Sequence, residues 1–203
     1  RIVILNKTLK EYSNLEAVIR LDGKVVVEGE EVGLLKGFEF IPSLSQGEKA
    51  APILSAARKI LPKEMFNEVY VAFIPGDSIS NIIEASRNLK SQGFSPIPHC
   101  PARSIKDEDQ LDLFLSGLAK ENIKKVLAIG GSPKNKAGIF DKTMDIFETG
   151  LFEKYEFNKI NIAGHPEGNP DDDNSENNLS IKCDWLMKKG FNSSIVTLSL
   201  IHI

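Results

Sequence analysis

Five short apolar runs, rich in β-branched residues, recur at nearly even intervals along the second two thirds of the chain. This rhythm constrains the fold more than any other feature. The runs fall at 69–73, 95–99, 125–129, 159–163 and 193–197, so their starts lie 26, 30, 34 and 34 residues apart. Runs without polar alternation read as strands buried on both faces of a parallel sheet. Parallel neighbours need a crossover of a dozen residues or more, usually helical, and the intervals leave room for one each time.

The intervening segments carry helical patterns. Ile79, Ile82, Ile83, Ser86 and Leu89 repeat at i, i+3, i+4 spacing behind a cap at Asp77 or Ser78, with Gly93 as the stop. Leu111, Phe114, Leu115 and Leu118 repeat it behind Asp107. A third helix is predicted over 139–149, ended by Gly150, and a fourth over 176–189, ended by Gly190. Strand and helix in alternation imply right-handed βαβ units and an α/β fold. The first third is less regular. Residues 17–27 predict a β-hairpin around Asp22-Gly23, 34–41 form a further apolar segment, and 50–61 read as a helix.

Composition narrows the function classes. The chain has 203 residues, with 25 Lys+Arg against 28 Asp+Glu and a net charge of −3, so no general basic face is available for nucleic acid. No apolar run reaches the roughly 18–20 residues that span a bilayer. Two cysteines, Cys100 and Cys183, make no disulfide framework, and a reducing cytoplasm is expected. The opening Arg1 leads us to expect that the chain is part of a longer protein.

In parallel α/β folds, ligands gather where loops leave the carboxyl ends of strands. Those ends here are polar and glycine-containing: His99-Cys100-Pro101-Ala102-Arg103, Gly130-Gly131-Ser132-Pro133, and the stretch 164–171 beginning Gly164-His165. Gly130-Gly131 serves a tight turn or a close backbone approach to a ligand. Neither a Walker A loop nor Gly-x-Gly-x-x-Gly is present, and no Gly-x-Ser-x-Gly elbow supports a serine hydrolase. His99-Cys100 has no second ligand pair at zinc spacing, so no metal site is expected, and Asp171-Asp172-Asp173-Asn174 reads as a solvated loop. These residues describe an enzyme-like rim without naming a reaction.

Five segments in order resemble the methylenetetrahydrofolate reductase family, especially its divergent short bacterial members: 69–76 (VYVAFIPG), 93–103 (GFSPIPHCPAR), 127–133 (LAIGGSP), 148–152 (ETGLF) and 161–169 (NIAGHPEGN). SIVT at 194–197 matches the start of a later strand. The resemblance covers roughly 69–197 and implies a (βα)8 TIM-type barrel, incomplete here with about six of eight strands visible. It divides the chain into 1–64, which faintly resembles a helicase-associated C-terminal region, a barrel portion at 65–197, and an atypical tail at 198–203. Phe38-Glu39-Phe40 resembles the family's first-strand motif, which makes 37–41 a candidate first strand and Glu39 a candidate proton donor; an exposed strand glutamate is the alternative.

The implied activity is flavin-dependent reduction of 5,10-methylenetetrahydrofolate to 5-methyltetrahydrofolate, with FAD as cofactor and NAD(P)H as reductant. The implied partners are a folate and a nicotinamide nucleotide; a homo-oligomer is left open. His99, Gly130, Gly131, Ser132, Phe140, His165, Asn169, Asn177, Ser180 and Lys182 fall at cofactor-binding positions, and Ser132 also at a catalytic one. Gly130 and Ser132 stand where the family carries an arginine and an aspartate, which weakens phosphate pairing and the folate step. Asp141 or Lys134 could supply the missing charge. The alternatives are another folate-linked one-carbon reaction, by methyl transfer or demethylation, and a non-catalytic chimeric fragment.

Overall fold

The structure is a computed structural model that describes residues 68–73, 77–131, 136–165 and 174–197, together with the backbone of 17–21 and 35–40. The described residues include seven strands: β1 (Ala17–Leu21), β2 (Leu35–Phe40), β3 (Glu68–Val71), β4 (Ser95–Pro101), β5 (Lys125–Ile129), β6 (Lys159–Gly164) and β7 (Ile195–Thr197). Each pairs in parallel with the next in chain order. β3 to β7 form an all-parallel sheet that curls into half a barrel, and β1 and β2 continue it beyond β3. The single residue pair Ala17↔Thr197 brings β1 against β7.

Two expectations are corrected here. The eight-stranded TIM-type barrel is not formed: the described residues supply seven strands, and β1 lies against β7 where an eighth would stand. The hairpin over 17–27 is not formed by β1 either. Ala17–Leu21 runs parallel to Leu35–Phe40, with Ile19 opposite Phe38, and a two-residue turn joins only antiparallel strands. The strand at 35–40 agrees with the candidate at 37–41. The helix expected over 50–61 and the tail at 198–203 lie outside the described residues.

Among the described residues, five α-helices follow the strands: α1 (Ile79–Ser91), α2 (Glu108–Lys120), α3 (Thr143–Phe147), α4 (Leu151–Lys154) and α5 (Ser175–Lys189). Local chemistry sets their ends. Ser78, rather than Asp77, caps α1, its Oγ accepting from the Asn81 N–H at 3.2 Å. Asp107 caps α2 through the Gln110 N–H at 2.9 Å, and Glu108 and Asp109 favour the positive end of that helix. Gly190 ends α5 in the left-handed conformation, φ 76°.

The third helix departs from expectation. It begins at Thr143 rather than 139, because Ile139 donates its N–H to the Lys106 carbonyl at 2.9 Å. That bond ties 139–141 to the segment leaving β4. Asp145 Oδ2 accepts the N–H groups of Asp141 and Lys142 and starts the helix there. Gly150 then turns at φ 72°, and the short α4 follows, which the sequence pattern did not anticipate.

Alternation along the strands separates two cores. Val69, Val71, Cys100, Val126, Ala128, Ile160 and Ile162 pack outward against helix residues including Ile82, Phe114, Leu118, Phe147 and Leu186. Tyr70, Ile97, Leu127 and Val196 form a smaller cluster on the concave face. The four apolar residues singled out on α2 are all fully buried. Among the described residues, no helix is long and apolar enough to cross a membrane.

Candidate functional site at the carboxyl edge

Because every pairing is parallel, the segments leaving β4, β5 and β6 emerge on one edge. Pro101 lies opposite Ile129, so Ala102-Arg103 and Gly130-Gly131 leave the sheet side by side. Gly164 lies opposite Thr197, and His165 follows it. The structure therefore brings His99, Gly130, Gly131 and His165 to one end of the sheet.

His99 is buried on β4, opposite Leu127 of the concave cluster. Its ring meets Tyr70 edge-on, with centroids 6.3 Å apart and planes at 69°. Beneath it, Asn161 Nδ2 donates to Tyr70 Oη at 2.9 Å, and Asn161 Oδ1 accepts the Ser194 N–H at 3.2 Å. Toward the amino end, Lys125 and Lys159 both donate to Glu68 Oε1, at 3.0 and 3.4 Å. The concave face thus carries a carboxylate with two ammonium groups at its amino end, a polar tie at mid-height, and a histidine near the carboxyl edge.

Gly131 has φ +82°, a conformation side chains rarely adopt, and a Cβ there would lie 3.1 Å from Pro101 Cβ. At Gly130 a Cβ would lie 3.3 Å from Arg103 Nη1. The arginine occupies that space: Nη1 donates to the Gly131 carbonyl at 2.9 Å. Its main chain is held on both sides, with its N–H on Gly130 O at 3.0 Å and its carbonyl accepting from Ala137 at 2.6 Å. Asp141 Oδ1 lies 3.6 Å from Arg103 Nε and 3.5 Å from Lys136 Nζ. Sequence reasoning assigned Arg103 no role. The only signal was its place directly behind a strand end, and the contact that reveals it spans 28 residues. Asp77, also on this edge, has a buried Oδ2 without a hydrogen-bond partner among the described residues.

Other expected residues lie elsewhere. Phe140 is buried in the core between sheet and helices. Asn177 and Ser180 are exposed on α5, and Lys182 is half-buried there. Glu39 stands in register with Tyr70, which is itself opposite Ile97, two residues before His99; its side chain is outside the described residues. So are Ser132, Lys134 and Asn169.

Cys100 alternates away from His99 into the outer core, where burial pushes its thiol far up from the usual range. At neutral pH the buried thiol is held in its protonated form. Among the described residues, no three His, Cys, Asp or Glu side chains cluster to hold a metal. No protein-family model matches the chain.

Proposed function

We propose that the carboxyl edge binds FAD and that the chain carries the flavin-dependent reduction of 5,10-methylenetetrahydrofolate to 5-methyltetrahydrofolate, with NAD(P)H as reductant. One observation carries the reading: three segments that resemble the reductase family, ending at 103, 133 and 169, come from strands that open on the same edge. Convergence of polar groups at strand carboxyl ends is where a parallel sheet places its ligands.

The residues present fit a flavin nucleotide in kind. Gly130 and Gly131 let Arg103 and Pro101 pack closely at the strand ends, His99 lies on the concave wall, and Arg103 offers a cation at the edge. FAD, when bound, would supply the hydride chemistry, passing reducing equivalents from the nicotinamide to the folate. The chain's own contribution is to position both molecules and to exclude water. Glu39 is the proposed proton donor to the folate.

The test is to purify the chain and look for flavin absorbance near the visible bands of bound FAD. NAD(P)H oxidation dependent on methylenetetrahydrofolate is then measured. Bound flavin and folate-dependent turnover support the reading. A protein that neither retains nor takes up flavin refutes it.

A further inference from the structure

We propose that Arg103 is the phosphate-binding residue of this edge, its guanidinium taking the pyrophosphate of the bound nucleotide; the identity of that nucleotide rests on the function proposed above. A guanidinium has five N–H groups in a planar fork. Among the described residues, one Nη1 hydrogen is used by the Gly131 carbonyl at 2.9 Å, and Nε faces Asp141 at 3.6 Å, beyond hydrogen-bond reach. The second Nη1 hydrogen and both on Nη2 have no acceptor among those residues, which leaves the end of the fork for two oxygens of one anion.

The group is also held ready. The Arg103 side chain is 23% exposed, and its N–H and carbonyl are both bonded to neighbouring backbone, so little freedom remains to be lost on binding. Gly130 makes room for it, since a side chain there would press on Nη1. Asp141 does not neutralise it effectively. That carboxylate is 66% exposed and shared with Lys136, and exposed pairs of this kind contribute little. An arginine serving only to brace the loop would be expected to direct more than one donor into the protein.

The experiment compares the wild-type chain with Arg103→Gln and Arg103→Lys, titrating each with FAD, riboflavin and inorganic pyrophosphate. Circular dichroism checks folding. The expected result is that Arg103→Gln weakens FAD about tenfold or more, the scale of a lost charge-assisted pair, while riboflavin binding is unchanged. Arg103→Lys keeps the charge without the fork, and its FAD-to-riboflavin affinity ratio should fall by several-fold; this variant decides the matter if the glutamine protein does not fold. Equal losses for FAD and riboflavin, or no loss for FAD, overturn the assignment and leave the flavin reading intact. If the wild type binds no flavin, the function reading fails instead. The Arg103 site then stands if pyrophosphate binds the wild type and not Arg103→Gln, and falls if pyrophosphate binds neither or both.

Discussion

Replacing Asn161 by alanine tests whether the concave face is held by a polar tie. Asn161 is fully buried. Its amide bridges two distant parts of the chain, donating to Tyr70 Oη at 2.9 Å and accepting from the Ser194 N–H at 3.2 Å. In the alanine variant the Ser194 amide loses this acceptor, and Tyr70 Oη is one partner short. A donor left unsatisfied in the interior costs about 1–3 kcal/mol, and a lost neutral hydrogen bond about 0.5–1.5 kcal/mol. Collapse around the missing carboxamide recovers only part of the packing. The two hydrogen-bond terms together give a destabilisation of about 1.5–4.5 kcal/mol, to which the incomplete repacking adds. Urea unfolding should show it as a lower midpoint at unchanged slope. Tyr70→Phe should destabilise less, and the double variant should show a coupling of about 0.5–1.5 kcal/mol between the two sites. An Asn161→Ala protein within about 0.5 kcal/mol of wild type, the scatter of neutral surface changes, would refute the reasoning.

Two further predictions rest on titratable groups. Asp112 accepts hydrogen bonds from Lys154 and Tyr155, at 2.6 and 2.7 Å, and these hold its carboxyl below the usual carboxylate range. A carboxyl depressed in the folded state contributes stability above its unfolded pKa and loses it as pH falls through the folded one. Asp112→Asn should therefore be less stable than wild type at neutral pH, with the difference shrinking on acidification in parallel denaturation curves; a gap that widens in acid would count against the pair. Cys100 is fully buried and Cys183 half-buried, so a thiol reagent should leave Cys100 unmodified in the native protein and label it after denaturation. Peptide mapping that finds Cys100 modified under native conditions would show that the outer core is open.

The alternation of apolar runs and helical patterns was sufficient to place β3 to β7 and the helices α1, α2 and α5, because burial on both faces and amphipathic spacing are written locally. Caps such as Asp107 and Gly190 are equally local, since a side-chain oxygen or a left-handed glycine acts within one turn. What only the tertiary structure decided involves partners far apart in the chain. Whether Ala17–Leu21 turns back as a hairpin or runs parallel depends on which edge it meets, and no residue within it encodes that edge. The start of α3 was set by a bond from Ile139 to Lys106, 33 residues away, which withdrew four residues from a helix their pattern favoured. At the carboxyl edge, the glycines sit directly behind the end of β5 and His99 two residues before the end of β4, so strand positions read from the sequence were sufficient to put them at one end of the sheet. Phe140 was not, since an aromatic residue reads alike whether it faces a ligand or a core. Arg103 was missed for the converse reason: the carbonyl that holds its guanidinium belongs to the next strand's exit, and only the parallel register brings the two together.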